Sequence, residues 1–213
     1  AYRFSIPWSR IEPEEGKFTG THFDPLMKTF GEFGLEPIFI LTGELTVLNR
    51  KEYEDDLRRG RWKLPLYVYR YLKRPDPAKE RGAVHPPLEI YNRYLDFCLR
   101  QWGKQVRIWE VFNEPGLGQM HPESYIELLK ASWKRIKAEN PRAIVLGNGV
   151  TGDFGMNVVG WCNQLNAVDP DYVNFMDAVS FHPYGCALDY INGTKNLYGH
   201  CVEAIRKTLA VPK

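Results

Sequence analysis

The sequence predicts an α/β chain built as part of an eight-stranded (β/α)8 barrel, and three observations predict it. Strand-like apolar runs alternate with helical patterns along the 213 residues, as βα units around a parallel sheet require. The runs are short and unbroken: residues 37–41 read Pro-Ile-Phe-Ile-Leu, which suits a strand buried on both faces. The turn after the first strand reads Trp8-Ser9-Arg10, not the Gly-rich phosphate turn of a doubly wound sheet. A whole barrel takes about 250 residues and one loop here spends roughly 45, so about five units fit and the missing strands are expected outside the chain.

Each element follows from its own local signals. The first strand is expected over 2–6, followed by a loop through Glu12, Pro13 and Gly16. A helix over 25–33 comes next, closed by Gly34 as a C-cap. The second strand, 37–41, leads into a polar, Pro-rich excursion over 42–87, long enough to be functional in a compact domain. A helix over 88–102 feeds a third strand, 106–112. The helix over 122–139 has Pro122 in its first turn and stops at Asn140-Pro141. A strand at 143–147, a helix near 158–167, a strand at 176–180 and a helix over 195–209 complete the expected pattern, and residues 1–213 are read as one partial barrel domain.

Charge and composition exclude some partners. Lys and Arg total 28 against 26 Asp and Glu, so nothing electrostatic attracts nucleic acid or an anionic membrane, and no apolar run is long enough to span a bilayer. A neutral ligand suits that balance. Aromatic residues make up 14%, a stock of flat rings with polar tips that serves both cores and sugar faces. Cys98, Cys162, Cys186 and Cys201 show no metal-ligand spacing and are expected to be buried thiols.

Chemistry concentrates where the apolar run Ile108-Trp109-Glu110-Val111-Phe112 ends in Asn113-Glu114-Pro115. A carboxylate at the C-terminal end of a barrel strand lies on the face where such folds place their active sites. Cleaving a glycosidic bond needs a carboxylic acid to protonate the leaving oxygen and a second carboxylate across the scissile bond. Glu114 suits the acid, because half-burial among aromatic rings favours the protonated form of a carboxyl. Glu110 is on the same strand face, but four extended residues put it about 13 Å away, beyond the ~5–9.5 Å that either glycosidase geometry allows. The partner is therefore expected from another strand.

These residues resemble a known family. Asn113-Glu114-Pro115 after an apolar strand is similar to the strand-four motif of the clan A glycoside hydrolases, whose acid/base is that Glu. The opening Ala1-Tyr2-Arg3-Phe4-Ser5-Ile6-Pro7-Trp8-Ser9-Arg10-Ile11 resembles strand two of the clan's β-glucosidase family. Glu12-Pro13-Glu14-Glu15-Gly16 also resembles its β-galactosidase and β-xylosidase families, and Val179-Ser180-Phe181-His182-Pro183-Tyr184 resembles strand six. The resemblance implies strands two to six of a retaining barrel, with Glu114 as acid/base, Asn113 bonding the sugar 2-hydroxyl and Arg3 holding the nucleophile ionised. It also implies that the nucleophilic Glu lies on a strand beyond Lys213, and that neither cofactor nor metal takes part. His182 and Tyr184 alternate along one strand and are expected to face acid/base, nucleophile or substrate. Trp8 either stacks on a sugar or plugs the barrel. Glu44, just past the second strand, is expected at the cleft wall, where Thr42-Gly43-Glu44-Leu45 departs from the β-glucosidase pattern. Two alternatives share these residues: an inverting enzyme with Glu44 as base, and a carbohydrate-binding or inactive barrel.

Overall fold

The computed structural model describes residues 1–42, 65, 67–68, 71, 86–116, 120–151, 156–182 and 197–209. Five strands, β1 (Tyr2–Pro7), β2 (Pro37–Thr42), β3 (Ile108–Val111), β4 (Ile144–Thr151) and β5 (Ala178–His182), form one sheet in the order β1-β2-β3-β4-β5. All four pairings are parallel. Right-handed crossovers that always step the same way keep their helices on one face, and that is the winding of a barrel; a doubly wound sheet must reverse its strand order.

The register explains what each face does. Phe4, Phe39, Trp109 and Val145 stand level with one another on successive strands. Phe4 and Phe39 meet edge to face at 4.5 Å, and Phe39 contacts both Trp109 and the helical Trp102 at about 5.5 Å. This row faces the helices. Alternation therefore turns the next row, Ser5, Ile40, Glu110 and Leu146, toward the opposite face, which a closing barrel makes concave.

The helices are α1 (Trp8–Ile11), α2 (Asp24–Glu32), α3 (Leu88–Trp102), α4 (Pro122–Glu139), α5 (Met156–Val168) and α6 (Leu197–Thr208), with 3-10 turns at Thr21–Phe23 and Pro170–Phe175. In α3 the buried residues are Ile90, Tyr91, Tyr94, Leu95, Cys98, Leu99 and Trp102, a stripe at the helical period that lies against the sheet. Two phenols tie that stripe down: Tyr94 donates to the Ile6 carbonyl at 2.7 Å, and Tyr91 shares a 2.8 Å hydrogen bond with Ser132 on α4. Each of these phenols thus answers its own burial.

Several expected boundaries moved, each for a local reason. Trp8–Ile11 makes one helical turn where a loop was expected, because the Glu12 amide bonds back to the Trp8 carbonyl at 2.8 Å. The third strand stops at Val111 and not at Phe112, whose φ of 66° leaves the extended region. The fourth runs on to Thr151 through a bulge between Gly147 and Val150, and the fifth begins at Ala178 rather than Met176. Most of the 42–87 excursion lies outside the described residues. Within it Tyr67 is seated on the barrel, its hydroxyl donating to the wholly buried Glu12 at 2.5 Å. Cys98, Cys162 and Cys201 are free and buried, as expected, while Cys186 lies outside the described residues.

Candidate active site

The concave face carries one connected polar cluster, made by Arg3 from near the start of β1, Glu110 and the turn that follows β3, and His182 at the end of β5. Arg3 reaches over the intervening β2 and donates from Nε to Glu110 Oε2 at 2.6 Å and from Nη2 to Glu110 Oε1 at 2.8 Å. Glu110 is fully buried, and a bidentate guanidinium is the arrangement that makes a buried carboxylate tolerable. Nη2 of Arg3 also donates to Asn113 Oδ1 at 2.8 Å. One guanidinium therefore links the middle of β3 to the turn that follows it.

That turn is built from unusual backbone. Phe112 has φ 66° and Glu114 φ 52°, so the chain folds back where an extended strand would have carried Glu114 away. Bulky residues with left-handed φ store strain of about 1–3 kcal/mol each and concentrate at functional sites. The turn fits against the β4 bulge, where Asn148 has φ 71° and Gly149 φ 40°. A side chain at Gly149 would stand 2.7 Å from the Phe112 carbonyl oxygen and 3.2 Å from both Glu110 Oε1 and the Glu114 amide nitrogen. Only glycine admits that approach. Asn148, wholly buried, donates its backbone N–H to the Tyr125 hydroxyl at 2.5 Å, and burial pushes that phenol well above its ordinary range.

His182, at the end of β5, stands between the two carboxylates. Its Nδ1 lies 2.8 Å from Glu114 Oε1, and its Nε2 lies 3.9 Å from Glu110 Oε1. The Glu114 contact holds one proton, carried either as an imidazole N–H or as a carboxyl O–H. Side-chain exposures of 15% for Glu114 and 10% for His182 leave the carboxyl reachable while excluding most water. The cluster can thus hold, give up and recover a proton at a defined oxygen.

Measured against expectation, Arg3, Asn113, Glu114 and His182 are brought together. Glu44 and Tyr184 lie outside the described residues. Trp8 corrects the sugar-stacking reading: it is 1% exposed, stacked on Tyr94 at 4.9 Å, and its indole N–H donates to Glu12 Oε2 at 2.9 Å. Its one helical turn points it into the layer between sheet and helices. Glu110 was set aside on an extended-strand distance, yet a single imidazole separates it from Glu114. The signal that could have found it was its own position, a charged residue inside a buried apolar strand, which demands a partner. Among the described residues no group of His, Cys, Asp and Glu could hold a metal ion, and no helix is long and apolar enough to cross a membrane.

Fold and site together define a (β/α)8-barrel sheet with a carboxylate cluster at its C-terminal face. Homologues of this chain are glycoside hydrolases. It is 27% identical over 117 residues to lactase/phlorizin hydrolase of Homo sapiens, matching 54% of this chain and 5% of that protein. It is 26% identical over 124 residues to β-glucosidase 47 of Arabidopsis thaliana, 55% and 18% of the two chains. β-Glucosidase 26 of Oryza sativa subsp. japonica is 30% identical over 117 residues, 54% and 18%. Among solved structures, a family 39 glycoside hydrolase from Bacteroides cellulosilyticus WH2 superposes with a TM-score of 0.54 at 21% identity, covering 85% of this chain and 32% of that one. A glucosidase from Croceicoccus marinus gives 0.56 at 18% identity, covering 94% and 37%. These superpositions show that the sheet shares the fold of those structures. The matches span a fifth or less of these curated relatives and about a third of these structures. No protein-family model matches the chain.

Proposed function

We propose that this chain supplies the acid/base half of a retaining hydrolase of β-linked glycosides, within one barrel domain. The observation that carries the reading is the 2.8 Å contact between Glu114 Oε1 and His182 Nδ1, just past the C-terminal end of β3 on a strained turn. Glu114 protonates the glycosidic oxygen as a nucleophilic carboxylate, supplied by a strand C-terminal to this chain, attacks the anomeric carbon. Glu114 then takes a proton from the water that releases the sugar, and the proton returns to the His182 contact. Arg3 serves beside the nucleophile, Asn113 bonds a hydroxyl of the sugar, and Tyr184 and Glu44 are proposed as further substrate-binding residues. The substrate is an oligosaccharide or other glycoside. This double displacement asks for no cofactor or metal, and nothing in the charge balance calls for nucleic acid or membrane.

The test is hydrolysis of aryl β-glycosides by the barrel protein that includes this chain and the nucleophile strand, and by its Glu114→Ala variant. Loss of the acid should slow cleavage of a poor leaving group by about 10²–10⁴-fold. Azide, which needs no base to activate it, should restore turnover and yield a glycosyl azide of retained configuration. Sugar binding without any hydrolysis, unaffected by Glu114→Ala, would instead identify a carbohydrate-binding barrel.

A further inference from the structure

We propose that Glu110 is a positioning residue that fixes which atom Asn113 shows to the ligand, acting through Arg3; this rests on the reading of the cluster as a glycosidase site. Arginine has donors and no acceptor, so the Asn113 atom at 2.8 Å from Nη2 must be the amide oxygen, whichever way the side chain would otherwise turn. That leaves the amide nitrogen as the Asn113 donor available to a ligand. It can donate to a hydroxyl oxygen and cannot accept from one. A donor of fixed orientation is therefore in place beside Glu114 before any ligand arrives.

The orientation depends on where Arg3 is held. Arg3 comes from β1 and crosses β2 to reach β3, and its side chain is 35% exposed. A long side chain in that situation samples several rotamers unless it is anchored. Glu110 anchors it twice, through Nε and Nη2, from a carboxylate that is itself wholly buried. The carboxylate in turn has little room to shift, since Gly149 closes over Oε1 and His182 Nε2 stands 3.9 Å away. The chain of constraint runs from the rigid strand to the guanidinium to the amide. Glu110 reaches the ligand only through the groups it places.

The experiment follows the Asn113 side-chain amide by nitrogen-15 correlation spectroscopy, alongside kcat and KM for an aryl β-glycoside. Glu110→Gln should displace the paired Asn113 amide resonances and lower kcat/KM about 10- to 100-fold, the effect of a misplaced contact group. Asn113→Ala should then cost little more in the Glu110→Gln background than Glu110→Gln alone. Because that variant strands a guanidinium, the paired variant Arg3→Met with Glu110→Met, which removes both charges, serves as the second test. It should melt as a folded protein yet lose the wild-type Asn113 signals. Wild-type Asn113 resonances in either folded variant, or fully additive losses, would overturn the proposal. Amide shifts that follow Glu110 in a protein that hydrolyses no glycoside would sustain the positioning role and reject the hydrolase reading.

Discussion

Phe112, Glu114 and Asn148 all hold positive φ without being glycine, and the turn and bulge that contain them touch through Gly149. Strain at single residues persists only where neighbours over-determine it, and here the Arg3 clamp on one side and the Tyr125 phenol on the other do so. Thiols at this scale are inert for a plainer reason. Burial pushes the Cys162 thiol up to about 11 and the Cys98 thiol higher still, so neither forms much thiolate near neutrality. Dithionitrobenzoate at pH 8 should accordingly label Cys98, Cys162 and Cys201 only at the rate at which the protein opens. Rapid labelling of more than one of the four cysteines in the native protein would contradict that expectation.

At the scale of elements, the β4 bulge sets the geometry of the site from one strand away. Its extra residue lets Gly149 approach the Phe112 carbonyl, so Gly149→Ala should destabilise the protein by about 1–3 kcal/mol through left-handed φ and close contact. The denaturation midpoint would report the stability, and a fall in glycoside hydrolysis beyond that explained by unfolding would report the displaced turn. An unchanged midpoint would show that bulge and turn are not coupled. The bulge was not legible beforehand: Gly147-Asn148-Gly149 reads as the end of a strand, and only pairing with β5 reveals one residue too many. The five strands were legible because each is a compact apolar run. Glu114 stood out as a carboxylate at the end of an apolar strand, whereas Asn113 and Arg3 were singled out only through the resemblance to the glycosidase clan. The distance from Glu110 to Glu114 was overestimated because a ruler of extended residues fails where β3 stops at Val111, and the two readings of Trp8 could not be separated because the single turn of α1 carries no periodic pattern.

For the molecule as a whole, the sheet has two outer strands, β1 and β5, each paired on one side only among the described residues. Beside β1 stand Tyr2 at 52%, Phe33 at 72% and Leu35 at 40% exposure. Unpaired strand edges next to apolar surface invite other chains. The 213-residue polypeptide produced by itself should self-associate and melt broadly, as followed by light scattering after size exclusion and by calorimetry. A monodisperse monomer with one sharp transition would refute this.

The unbroken order of the strands also bears on how the chain is made. Every strand's first partner is the one synthesised just before it, so during translation the newest edge is always the docking place for the segment emerging next. Assembly can then proceed by accretion, with short loop closures throughout. The exception is the step from β2 to β3, which encloses residues 43–107. Closure entropy grows only with the logarithm of length, about 0.6 kcal/mol per doubling, so this insertion weighs little on the final balance. Its mark falls on timing: β1 and β2 must wait as a pair until α3 and β3 have been synthesised.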